Sequence, residues 1–171
     1  DYKGNTPGKL ENSGNRGDNV RHTFDETAYK WNSAYDIYWK DDKTHIDIYG
    51  YYPVATPSEV NAYEFEVQKD QAKTNGNGEL GGYEASDFLW GKATDVAPTE
   101  KVIRLPLRHK MSNARITLVE GEGFTEETWT KLEKQVLVLN TKCNSVIDLA
   151  TGNVTATGEV AKTGTIPFCK D

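Results

Sequence analysis

Ser86-Asp87-Phe88-Leu89-Trp90 and Tyr49-Gly50-Tyr51-Tyr52-Pro53 decide how this chain reads. The first is a compact apolar knot, and the second closes an aromatic strand. After Trp90 a polar, Pro-containing stretch leads into Lys101-Val102-Ile103-Arg104-Leu105-Pro106-Leu107-Arg108-His109-Lys110. A break at Ser112-Asn113 separates that run from Ala114-Arg115-Ile116-Thr117-Leu118-Val119. Both runs alternate, which predicts a central hairpin. Ile103, Leu105, Leu107 and His109 would share one face, and Arg104, Pro106, Arg108 and Lys110 the other. Pro106 donates no ladder hydrogen bond, so its strand belongs at an edge or carries a bulge.

Working outward, the punctuation is that of a β protein. His45-Ile46-Asp47-Ile48-Tyr49 alternates, with the two isoleucines on one face. Residues 60–67 alternate again through Tyr63, Phe65 and Val67. Residues 74–82 form a Gly/Asn loop able to take positive φ. Residues 135–139, 145–149 and 154–157 read as short strands, the last pair turning at Thr151-Gly152-Asn153. Residues 125–134 alone look helical, with Thr125 as cap and Glu126 and Glu127 at the positive end of the dipole. About seven strands at this spacing, with one short helix, predict an all-β Greek-key sandwich.

Composition narrows the function classes. The 171 residues make one domain with room for a core. The expected division is a flexible N-terminal arm at 1–19, rich in glycine and poor in aliphatics, followed by a sandwich at 20–171. Twenty Lys+Arg against 26 Asp+Glu give a net charge of -6, which disfavours general nucleic-acid binding. No run approaches the roughly 20 apolar residues of a spanning helix. Asp1 opens directly in polar sequence, so the chain reads either as cytoplasmic or as starting after a processed leader. Cys143 and Cys169 are too few for a disulfide scaffold or a zinc site; they form one bridge in an oxidising compartment or stay as two thiols.

The residues offer no catalytic constellation. His22, His45 and His109 are far apart and none has a His or Cys at metal spacing. His109 reads as a satisfied core or rim histidine. Asp41-Asp42 reads as a solvated hairpin tip, without the further oxygen ligands that calcium requires. No nucleophile elbow, phosphate loop or dinucleotide fingerprint is present, and no cofactor is expected. Three binding features stay open. Arg16-Gly17-Asp18 is a tripeptide some adhesins present to integrins, in an arm where such a triplet arises easily. Lys101, Arg104, Arg108, Lys110 and Arg115 form a basic band, read first as the solvent face of the hairpin and second as a docking surface. Trp31, Trp39, Tyr49, Tyr51 and Tyr52 are either core aromatics or a stacking platform for sugars.

The order of these motifs resembles the fimbrillin-like family of type V pilus subunits, in particular the N-terminal domain. The resemblance rests on Tyr51-Tyr52-Pro53, Asp87-Phe88-Leu89-Trp90, Leu107-Arg108-His109, Ser112-Asn113-Ala114-Arg115-Ile116-Thr117-Leu118 and Asp148-Leu149-Ala150-Thr151-Gly152-Asn153-Val154. It covers roughly residues 31–158. It implies a transthyretin-like sandwich, a lipoprotein precursor exported to the outer membrane, and a fimbrial location at the cell surface. It also implies processing by an arginine-specific protease, for which Arg16 and Arg21 are the candidates, and assembly by strand exchange with neighbouring pilin subunits. The implied role is structural and adhesive, not enzymatic, with the second domain of such subunits not present in this chain. The alternative is a carbohydrate-binding module of a surface lipoprotein that uses the Tyr/Trp cluster.

Overall fold

In the computed structural model the described residues are 17, 19–71, 73–134, 136–160 and 165–166. Among them are ten strands: β1 His22–Asp25, β2 Lys30–Ser33, β3 Ile46–Tyr52, β4 Tyr63–Glu66, β5 Leu89–Val96, β6 Arg108–His109, β7 Val136–Leu137, β8 Asn144–Asp148, β9 Asn153–Thr157 and β10 Thr165–Ile166. Two short helices accompany them, α1 Gly82–Ser86 and α2 Glu126–Lys131. Two antiparallel three-stranded sheets carry the fold, in the orders β3-β5-β6 and β4-β8-β9. The chain crosses from one sheet to the other between β3 and β4 and returns before β5. Two further pairs, β1-β2 and β7-β10, stand outside these sheets. The architecture is an all-β sandwich.

The core lies between the two sheets and is small. Phe88 and Ile147 are fully buried, with Phe65 and Leu149 beside them. Tyr51, Val60, Tyr63, Val67, Trp90 and Met111 pack around this centre. Alternation explains the arrangement: in β4, Tyr63 and Phe65 turn inward while Glu64 and Glu66 are exposed. Phe88 meets Phe65 at 5.2 Å between ring centroids and lies stacked on Tyr51 at 6.2 Å. Aromatic side chains bury much area per residue, so few of them suffice to join two short sheets.

Local chemistry sets the turns. The β8–β9 turn is built by Asp148, whose carboxylate accepts the Ala150 N–H and the Thr151 hydroxyl, each at 2.8 Å. Gly152 follows at φ 71°, a conformation glycine adopts without strain. Asn77 and Gly78 take φ 52° and 80° between Gly76 and Glu79, which exchange backbone hydrogen bonds at 3.1 and 2.9 Å. The Gly/Asn loop is therefore a tight two-residue reversal. The Asp41 carboxylate accepts the Lys43 and Thr44 amides, making the expected Asp41-Asp42 tip an Asx turn. α2 begins at Thr125 as expected, in a reciprocal cap with Thr128.

The central hairpin is where the sequence reading departs from the structure. Of residues 101–110 only Arg108–His109 pairs with β5, and residues 114–119 form no strand. Pro106 supplies part of the reason, because without an N–H it cannot enter a ladder, and pairing begins only after it. The chain ahead of β6 instead lies along the sheet. A Cβ on Gly50 would sit 2.5 Å from Leu105 Cδ2, and one on Gly91 would sit 2.4 Å from the Pro106 carbonyl oxygen. Gly50 and Gly91 are partners in the β3–β5 register, so two opposed glycines leave the bed in which this ribbon rests. The β1–β2 hairpin, conversely, was not expected.

Candidate assembly and binding surfaces

The five motifs that carry the family resemblance meet mostly around one strand. Tyr51 pairs with Trp90 and Tyr52 with Leu89 across β3 and β5. On the other side of β5, Leu89 pairs with His109 and Trp90 with Arg108. The Lys110 N–H donates to the Phe88 carbonyl at 2.8 Å, and the Lys110 ammonium stands 4.9 Å over the Trp90 ring. The Trp90 indole N–H donates to the Leu149 carbonyl at 2.8 Å, which joins the two sheets. A Cβ on Gly152 would lie 2.4 Å from that same ring, so the Asp-Leu-Ala-Thr-Gly turn closes directly against Trp90. The exception is residues 112–118, which belong to the unpaired stretch.

Histidines clamp both ends of β5. His109 Nδ1 lies 2.8 Å from Asp87 Oδ1 at the start of the strand, and His45 Nδ1 lies 2.7 Å from Asp95 Oδ1 near its end. His109 is thus a rim histidine with a partner, although its side chain points to solvent rather than into the apolar face. At the second clamp Asp95 takes φ 56° and its N–H donates to Asp47 Oδ1 at 2.9 Å, forming a bulge opposite Asp47. Lys92 lies 3.7 Å from the Asp47 carboxylate and 4.8 Å from the Tyr49 ring centroid. Ser86, a buried hydroxyl, accepts from Gln68 N–H and Gln71 Nε2 and donates to the Gly82 carbonyl at 2.6 Å. Its hydrogen-bonding capacity is used structurally. Among the described residues no three His, Cys, Asp or Glu side chains converge to hold a metal ion.

The residues read as an aromatic patch do not gather in one place. Tyr51 is a core wall against Phe88, with its hydroxyl bonded to Asn19 and to the Ala55 carbonyl at 3.0 Å. The Trp39 indole donates to the Thr99 carbonyl at 3.1 Å. Tyr49 carries Lys92. Trp31 sits on β2, where the sequence reading had missed two neighbours: Phe24 lies 5.3 Å away, and Tyr29 lies 5.3 Å from Phe24. The rings meet at 53° and 76°, tilted and edge-on instead of coplanar. Asp25 heads the turn of this hairpin; hydrogen bonds from the Ala28 amide chiefly, and also from the Thr27 amide, hold its carboxyl below the usual aspartate value. Desolvation raises the phenols of Tyr63 and Tyr52, the latter helped by the charges of Glu84 and Asp87.

Arg21 is exposed just before β1, and its carbonyl accepts the Ala34 N–H at 2.9 Å. Arg16, Asp18 and Cys169 fall outside the described residues, as does nearly all of the expected arm; Cys143 is half-buried. Of the basic band, Lys101, Arg104, Arg108 and Arg115 are exposed, and Lys110 is spent on Trp90. Open edges remain on both sheets: among the described strands β3 and β6 flank one, β4 and β9 the other. No helix among the described residues is long and apolar enough to cross a membrane.

Comparison with known proteins gives one result. No curated protein and no solved structure matches the chain. A family model described as fimbrillin-like matches residues 2–168, nearly its whole length. The chain belongs to the fimbrillin-like family, a family of structural subunits of cell-surface fimbriae that interact with one another.

Proposed function

We propose that this chain is a non-catalytic, structural and adhesive pilus subunit that joins its neighbours by strand exchange after cleavage by an arginine-specific protease. The observation that carries the reading is the contrast between edge and strand supply in the sandwich. Each three-stranded sheet has open edges among the described strands. The chain also holds a segment patterned as a strand but unpaired, residues 114–119, whose Ile116, Leu118 and Val119 are exposed. Unpaired edge groups and uncovered apolar rows both cost free energy, and one added strand satisfies both. The acidic net charge of -6 suits an exported, soluble subunit. The finer parts of the proposal are a transthyretin-like topology, a lipoprotein precursor at the outer membrane, and an identity as the N-terminal domain of the subunit. The tilted rings of the hairpin do not favour the carbohydrate-binding alternative, since sugar faces stack on flat aromatic surfaces.

Digestion of the precursor with an arginine-specific protease tests it, followed by intact mass and size-exclusion chromatography. The expected result is one cut at Arg16, Arg21 or upstream, then a ladder of oligomers that resist SDS. A precursor with no arginine cut before Trp31, combined with binding on a glycan array, would replace the pilin with the sugar-binding module.

A further inference from the structure

The chain holds two Asn-Gly pairs, Asn75-Gly76 and Asn77-Gly78, and the structure gives them opposite surroundings. Both asparagines are exposed, and a Cβ on Gly76 or on Gly78 would meet no atom within 4 Å, so space does not separate the two. Hydrogen bonding does. The Asn75 side-chain oxygen accepts the Gly81 N–H, and its amide nitrogen donates to Glu84 Oε1 at 3.4 Å, which fastens Asn75 to the start of α1. The Gly76 N–H donates to the Glu79 carbonyl at 3.1 Å. Asn77 has neither restraint: among the described residues its side chain and the Gly78 N–H have no hydrogen-bond partner.

An asparagine followed by glycine carries the reagents of its own modification. The glycine backbone nitrogen, its proton lost to solvent base, attacks the asparagine side-chain carbonyl carbon. Ammonia leaves and a cyclic succinimide closes. Water then opens the ring at one of its two carbonyls, giving either aspartate or isoaspartate, whose main chain runs through the former side chain. One water enters and one ammonia departs, with no oxidant and no cofactor. Glycine favours the step because it has no Cβ to obstruct the attack. Ring closure requires the Gly78 nitrogen to swing toward the side chain, out of the reversal in which Asn77 and Gly78 take φ 52° and 80°. That reversal is held by two backbone hydrogen bonds and by the Lys73–Glu79 pair at 3.0 Å, whose side chains are 55% and 72% exposed. So small a loop opens locally at little cost.

We propose that Asn77 is a site of spontaneous covalent modification, at which this exposed reversal ages to aspartate and isoaspartate. Asn75 is held back from the same reaction by its bonds to Gly81 and Glu84. The change adds one negative charge to a chain whose net charge is -6. As isoaspartate it also adds a backbone carbon to a two-residue reversal, which then cannot keep Gly76 and Glu79 in register. The core around Phe88 is not touched. The reaction needs no partner subunit, so it proceeds whether or not the chain assembles.

Incubation of the intact 171-residue chain in warm, mildly alkaline buffer tests the site, followed by ion-exchange chromatography and by fragmentation of the tryptic peptide 74–92. An acidic form should accumulate whose added charge maps to residue 77. Asn75 should convert about tenfold more slowly, the ratio expected when about one net hydrogen bond must first be given up. In urea, where both pairs are unfolded, the two rates should converge. Asn77→Gln should remove the acidic form and leave the thermal melt unchanged. A native chain that converts first at Asn75, or equally at both asparagines, overturns the proposal. So does a native chain that stays unmodified while the urea-unfolded chain converts, and so does an acidic form that persists in Asn77→Gln. A preference for Asn77 that survives in urea overturns it too, because the selectivity would then belong to the sequence and not to the fold.

Discussion

In sequence the surroundings of Phe88 read as an apolar knot followed by a polar stretch, and 101–119 as the strand hairpin, yet the structure makes the former the eight-residue strand β5 and leaves the latter mostly unpaired. Around Phe88 the central strands are held from two sides: β5 pairs with both β3 and β6, β8 with both β4 and β9, and Trp90 ties the sheets together through the Leu149 carbonyl. Along 101–119 the alternation of apolar and polar residues yields two paired residues and an otherwise unpaired ribbon. Alternation specifies a face to be covered, but a ladder also needs a partner with free N–H and C=O groups. The first region finds its partners inside the chain. The second, with Pro106 in it, finds a partner among the described residues only at Arg108–His109.

The comparison breaks or sharpens under substitution. The largest effect is expected for Phe88→Ala, which empties the centre of the core and should cost about 3–5 kcal/mol, whereas Ile116→Ala should cost less than about 0.5 kcal/mol in the monomer. Urea denaturation of both variants measures the difference; similar losses would mean that 114–119 is packed after all. Gly152→Ala comes next. It strains a position at φ 71° and presses a methyl against the Trp90 ring, so about 1–3 kcal/mol should be lost. Thr125→Ala removes the cap of α2 and should cost about 1 kcal/mol in the stability of that helix, read as faster amide exchange at Glu127 and Thr128 with exchange in β5 unaltered.

The smallest effect concerns alkaline pH. Burial raises the phenol of Tyr63, so the folded state favours its neutral form. Its contribution is fully present below the ordinary tyrosine value of about 10 and is lost as pH rises through the raised folded value. Tyr63→Phe should therefore melt more nearly alike at neutral pH and above pH ~10 than wild type does. An unchanged alkaline loss would assign it to Tyr52, which is raised by burial and by Glu84 and Asp87.

Much of the fold was legible wherever the sequence itself supplies both partners of an interaction. Phe65, Val67 and Tyr63 alternate with glutamates, and Asp148 and Gly152 dictate their turn, so β4, β8 and β9 could be placed closely. The β1–β2 hairpin was not legible, because Asp25 builds its turn with Tyr29 at φ 52° and no glycine to announce it. The grouping of Trp31 with Tyr49 and Tyr51 failed for a related reason. Alternation says which side chains share a face within one strand, but not which strands share a sheet, and Tyr51 turns into the core while Trp31 stands on a separate hairpin. The glycine pair Gly50 and Gly91 carried the clearest missed signal. Two glycines in strands otherwise rich in aromatics mark a close approach of backbone, here that of the Pro106 ribbon.

The central claim is that the core around Phe88 is complete within one molecule, whereas 112–120 is unpaired there and, on the proposed function, gains a partner in the assembled pilus. Hydrogen–deuterium exchange on the monomer and on the protease-assembled polymer tests it most directly. The account predicts slow exchange in β3, β5 and β8 in both states, with rapid exchange at 112–120 in the monomer and strong protection there after assembly. Protection of 112–120 already present in the monomer, or none gained in the polymer, would contradict it.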